Sequence, residues 1–186
     1  MEKKLEISVL KDQKRLETYA KAEQLSSDEL VISREIARLT LDQRRIIKES
    51  MQYLKQDELR NGWAIFVRFL SQHPELKKIW PQFRPVADSS LISSDVVKAH
   101  ALTYMKGLNH IIDNMDDEIR LSIAIRKISQ SHAKWQISKK NVMDMVPELI
   151  VVLKSGTQII DEATEDAWCT LYAIIGNLIE YFKRKY

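Results

Sequence analysis

Apolar residues recur along this chain at steps of three and four and almost never alternate with polar ones, a helical rather than a strand period. Residues 62–72 place Ile65, Phe66, Phe69 and Leu70 on one stripe. Residues 96–115 do the same with Val97, Ala101, Tyr104, Leu108, Ile111 and Met115, and residues 118–132 with Leu121, Ala124, Ile125, Ile128 and then His132. Residues 141–154 carry Val142, Met145, Val146, Leu149 and Val152, and Pro147 is expected to kink that helix or to mark a first turn. The last helix carries Trp168, Leu171, Tyr172, Ile175, Leu178, Ile179 and Phe182, with Thr164 as its expected N-cap and Glu165 and Asp166 in its first turn. A weaker stripe, Ile46, Ile47, Met51 and Leu54, predicts a helix over about 40–54. The pattern predicts an all-α domain over residues 39–186 with no sheet.

The first 38 residues read differently. Lys and Glu are dense, while Leu5, Val9, Leu16 and Leu25 are sparse. Ser26 and Glu29 have capping-box spacing, which predicts a short helix near 27–38. Residues 1–38 are therefore read as a partly helical N-terminal extension, either a solvated arm or a docking or dimer segment.

Charge and composition narrow the function mainly by exclusion. A net charge of +3 makes no demand for nucleic acid or a membrane surface. No window approaches the roughly 20 apolar residues of a membrane span, and MEKKLEIS lacks the apolar core of a signal peptide. Glu2 excludes N-myristoylation. The single cysteine, Cys169, cannot form an internal disulfide and is expected as a buried filler, which fits a cytoplasmic protein. The spacings HExxH, CxxC, GxxxxGK[ST] and GxGxxG do not occur, and no nucleophile elbow is present.

Four histidines remain. His73 precedes Pro74 at a helix junction and is expected to be exposed, and His110 is expected on the surface, about 80° round its helix from His100. His132 ends the run I-x-L-x-x-A-I-x-x-I-x-x-x-H, on a stripe where leucine would be ordinary, and His100 lies on or beside the apolar face of its own helix. Spacing alone leaves two readings: satisfied core or boundary histidines, or a pair of ligands 32 residues apart.

The colinear fragments HPELKKIWPQF, KAHALTYMKGLNHIIDNMDD, SQSHAKW and EDAWCTLYAIIGNLI resemble the globin family, from about Leu39 to Phe182. They are most similar to nematode globins and to the cytoglobin and neuroglobin group. The resemblance implies a haem slot between helices packed at about 50°. Pro74 matches the proline that opens the short third helix, Gly62 the glycine that lets two helices press together with Ala101 opposite, His132 the proximal histidine and His100 the distal one. Further pocket members implied are Phe66, Phe69, Trp80, Phe83, Tyr104, Leu108, Ile128, Ile137 and Met145. The second ring nitrogen of His132 needs a fixed acceptor, for which the Ile128 carbonyl and the Ser131 hydroxyl stand available. With no CxxCH, the haem is expected to be non-covalent haem b. Arg84, Lys134 and Gln136 are candidates for its propionates or are simply solvated. Three positions depart from the family: Trp80 stands for the usual phenylalanine, Tyr104 for a small aliphatic residue, and Met51 for a tryptophan.

The function implied is a bis-histidine haem protein acting in electron transfer or in oxygen or redox sensing. Its partners would be a diatomic gas (oxygen, carbon monoxide or nitric oxide) and an electron-transfer protein, in a monomer or homodimer. A five-coordinate oxygen-storage globin is the alternative. Nitric oxide dioxygenation or peroxidase activity would need an outside supply of electrons. A haem-free helical interaction module is the reading from another class.

Overall fold

Ser26, Thr40, Asp57, Ser94, Asp117, Ser138 and Asp161 each accept a hydrogen bond from the backbone N–H three residues ahead, and each opens a helix. The computed structural model describes residues 26–156 and 160–186, and every regular element among them is helical. We number the α-helices α1 (Ser27–Ile36), α2 (Leu41–Gln56), α3 (Glu58–Gln72), α4 (Asp95–Asp113), α5 (Glu118–Lys134), α6 (Lys139–Met143), α7 (Val146–Lys154) and α8 (Glu162–Lys183). Three 3-10 segments, Pro74–Ile79, Pro81–Phe83 and Asp88–Ser93, join α3 to α4. None of these described helices is long and apolar enough to cross a membrane.

Two boundaries differ from expectation. The last helix starts at Glu162, capped by Asp161 rather than Thr164, whose hydroxyl instead donates to the Asp161 carboxylate at 2.7 Å. The helix expected over 141–154 is two helices broken at Asp144 and Met145, with Pro147 in the first turn of α7, where its missing N–H costs nothing. The capping box at Ser26 is present, and α1 turns Ile32 and Ile36 into the main core. Leu5, Val9, Leu16 and Leu25 lie outside the described residues.

The larger apolar cluster runs from Ile32 to Phe182 and centres on Trp168, which is fully buried and donates its indole N–H to Ser50 Oγ at 3.0 Å. A smaller cluster holds Phe66, Phe69, Leu70, Phe83, Leu91, Val97 and Ala101. Tyr104 and Met145 touch both. The helices α3 and α4 meet at Gly62, where an added Cβ would stand 2.5 Å from Met105 Cγ and 3.1 Å from the Ala101 carbonyl. Buried Arg44 donates to the carbonyls of Leu39 (3.3 Å) and Met115 (2.7 Å) and pairs with Glu118 at 2.7 Å. It ties the start of the domain to the corner between α4 and α5, the two helices that carry His100 and His132.

Candidate functional site

A cleft of about 530 Å³ opens between α4 and α5, floored by residues of α3 and α8. Its size falls within the roughly 300–1,000 Å³ of small-molecule sites. Both His100 and His132 line it. So do eight of the residues the resemblance implies: Phe66, Phe69, Trp80, Tyr104, Leu108, Ile128, Ile137 and Met145. Phe83 does not. It is fully buried one layer back, with its ring 5.2 Å from that of His100 and 5.4 Å from that of Trp80.

The local structure fixes the His132 ring. One turn back, the Ile128 carbonyl lies 2.9 Å from Nδ1. A carbonyl can only accept, so Nδ1 carries the proton and Nε2 is left with a bare lone pair. The Ser131 hydroxyl, the other candidate partner, does not take this role. Burial holds His132 below the ordinary histidine range, and its bond to Ile128 works weakly against that shift. Two residues later α5 ends, as Ile137 N–H donates to the His132 carbonyl (3.1 Å) and Gln136 N–H to that of Ala133 (3.0 Å). This Schellman turn needs a left-handed residue, and Gln136 supplies it at φ 57° in place of the usual glycine. The reversal carries Ile137 back into the cleft.

His100 makes no hydrogen bond among the described residues. Its ring sits among Phe66, Phe83 and Trp80 at centroid separations of 4.9, 5.2 and 5.4 Å, all near edge-on. Burial pushes its pKa down to about 4, helped by nearby His132, so it is neutral at physiological pH.

Among the described residues no Asp or Glu lines the cleft, and its charged members are Lys106 and Lys127, both exposed. Sequence reasoning passed over these two, along with Tyr172 and Ile175 on α8. Tyr172 was readable only as one more residue of an apolar stripe. A buried phenol nevertheless calls for a partner, and Tyr104 and Tyr172 are hydroxyl to hydroxyl. Of the propionate candidates, Lys134 lies over the Tyr186 ring, Arg84 donates to the Lys78 carbonyl at 2.9 Å, and neither lines the cleft, nor does Gln136. His110 is exposed at the rim. His73 is half-buried rather than exposed, because its ring packs 5.6 Å from that of Phe69.

Among the described residues no three His, Cys, Asp or Glu side chains group to hold a metal. Two neutral imidazoles are too few to cage a bare ion. They suit a metal that arrives with its own equatorial ligands in a flat, apolar body carrying carboxylates at its edge, which the two lysines can meet.

The model of one protein family, described as Globin, matches residues 64–179. The chain is similar to a myoglobin of Cyprinus carpio, 24% identical over 123 residues that span 66% of this chain and 82% of that one. It is similar to the globin-2 B chain of Anadara inaequivalvis, 25% identical over 72% of this chain and 88% of the other. Cytoglobin-1 of Oryzias latipes is 24% identical over 74% of this chain and 79% of its own length.

Proposed function

This chain belongs to the globin family, and from that premise we propose that its cleft holds haem b between His132 and His100, both ligating the iron at rest. Bound haem supplies an iron that takes axial ligands and changes oxidation state by one electron. His132 offers the bare Nε2 of a ring oriented by Ile128. His100 offers a neutral imidazole with no competing hydrogen bond among the described residues. The observation that carries the reading is this pairing: two imidazoles from different helices, each with a ring nitrogen left free, in one apolar cleft with no carboxylate among the described residues. Lys106 and Lys127 are the cations proposed to meet the haem carboxylates.

A second protein ligand weakens gas binding. With about 1% of molecules open on the His100 side, apparent affinity falls roughly a hundredfold. Such a protein suits electron exchange with a partner, or oxygen and redox sensing, in a reducing cytoplasm, better than bulk oxygen storage.

One observation favours the five-coordinate, oxygen-binding alternative. The His100 ring packs edge-on against Phe66, Trp80 and Phe83, contacts that resist any displacement of the ring.

The spectrum of the ferrous protein decides between them. A low-spin spectrum, with carbon monoxide binding that saturates as gas rises because His100 must first dissociate, is expected. His100→Ala should remove the saturation. A high-spin ferrous wild type would establish the alternative instead. His132→Ala should lose haem on purification, and full retention with an unchanged spectrum would overturn the proximal assignment.

A further inference from the structure

Two hydroxyls share one bond at the back of the cleft. Tyr104 on α4 and Tyr172 on α8 are hydrogen-bonded oxygen to oxygen, and both line the cavity. Each phenol carries one proton, so a single bond between them uses one proton and leaves one over. No other hydrogen bond is made by either hydroxyl among the described residues. Tyr172 is only 3% exposed, and the surroundings shared by the pair are apolar: the Phe66 ring lies edge-on at 5.5 Å from that of Tyr104, and Leu108, Met145 and Ile175 complete the wall. A buried donor without an acceptor is costly, and the open direction is into the cleft.

Resting on the haem reading above, we propose that Tyr172 donates to Tyr104 and that Tyr104 donates its own proton into the cleft, to an acceptor atom of a small ligand bound on the His100 side. The order follows from position. Tyr172 is the more deeply buried, whereas Tyr104 is half-buried and one turn along α4 from His100. Accepting from Tyr172 polarises the Tyr104 hydroxyl and makes it the stronger donor. Burial also drives both phenols well above their ordinary pKa of 10, so neither loses its proton under physiological conditions. The site therefore selects ligands that end in a hydrogen-bond acceptor, such as dioxygen, over carbon monoxide, a poor acceptor of similar size.

The test uses the haem-loaded, full-length protein in a His100→Leu background, which clears the distal side and removes the competing imidazole donor. Oxygen and carbon monoxide affinities and the infrared stretch of bound carbon monoxide are measured with and without Tyr104→Phe and Tyr172→Phe. Tyr104→Phe should lower oxygen affinity relative to carbon monoxide by about tenfold, the worth of one hydrogen bond, and should raise the stretching frequency. Tyr172→Phe should shift both in the same direction by less, since Tyr104 keeps its proton and loses only its polarising partner. Unchanged values with Tyr104→Phe, or a larger effect from Tyr172→Phe, would overturn the donor order. If Tyr104→Phe does not fold, exchange of H2O for D2O in the His100→Leu protein decides: a shifted stretch supports the donor and an unmoved one refutes it. A protein that carries no haem band at all would overturn the haem reading, whereas a haem-loaded protein indifferent to Tyr104 overturns only this inference.

Discussion

Adding one methyl group at each of two glycines should change stability in opposite directions. Both sit inside helices, where alanine is favoured over glycine by about 1 kcal/mol on propensity alone. At Gly107, on α4, the new Cβ would meet only the terminal methyl of Ile128 at 3.4 Å, an ordinary contact. Gly107→Ala should therefore stabilise the protein by about 0.5–1 kcal/mol. At Gly62, on α3, the new Cβ would lie 2.5 Å from Met105 Cγ and 3.1 Å from the Ala101 carbonyl. Met105 can turn aside at some cost, but the carbonyl belongs to the α4 backbone and yields only if the helix moves. Overpacking of this kind costs about 1–3 kcal/mol. Against the propensity gain, Gly62→Ala should come out about 0–2 kcal/mol less stable than the parent. The two variants should differ by about 1–3 kcal/mol, or roughly 2–12 °C in Tm for a chain of this size. Urea unfolding followed by helical circular dichroism measures this, at one fixed haem loading because bound haem raises apparent stability by mass action. If Gly62→Ala proves as stable as Gly107→Ala, the close helix crossing is not what requires glycine at position 62.

Removing the Arg44 side chain strands the Leu39 and Met115 carbonyls, so Arg44→Met should cost about 2–3 kcal/mol in the same urea assay. Arg45→Met, which breaks only solvent-exposed pairs with Glu49 and Asp42, should cost under about 0.5 kcal/mol. Gln136→Gly should stabilise by about 1 kcal/mol, since it relieves a left-handed backbone at φ 57°; an unchanged or lowered midpoint counts against the strain. The Thr164 hydroxyl and N–H hold the Asp161 carboxyl below its ordinary value of 3.8. Its contribution is fully present above that value and fades as pH falls through the lower folded-state pKa. The gap in unfolding midpoint between wild type and Asp161→Ala should thus be steady from pH 5 to 7 and narrow below about pH 4. Deleting residues 1–25 should leave the haem spectrum unchanged, because every described residue that lines the cleft falls between Phe66 and Ile175; loss of haem would assign the deleted residues a part in the site.

How far the site could be read from the sequence depended on the kind of signal each residue left. His132 was conspicuous because it breaks an apolar stripe, and the one-turn reach to the Ile128 carbonyl follows from helical pitch alone. Helix period also brings Tyr104 and Leu108 to the face of His100. No local pattern says how many layers lie between a side chain and a cavity, so Phe83 was indistinguishable from Trp80. The segment from Pro74 to Ser93 is built of 3-10 turns too short to show any repeat. Thr164 reads as the cap of the last helix, and only the structure shows that Asp161, three positions earlier, caps it and takes a bond from the Thr164 hydroxyl. The bond between Tyr104 and Tyr172 spans 68 residues, and no local pattern records a contact of that range.

The last of the described helices to be synthesised is also the one that finishes the site. The apolar face of α5 rests chiefly on α8, and α8 contributes Tyr172 and Ile175 to the cleft. Until residues 162–183 have emerged, the helix that bears His132 lacks its chief packing partner. A haem captured early in synthesis would meet an open trough rather than a slot. Assembly of the holoprotein therefore waits on the synthesis of α8, and a nascent chain stalled short of it would expose greasy surface to the chaperones that attend such intermediates.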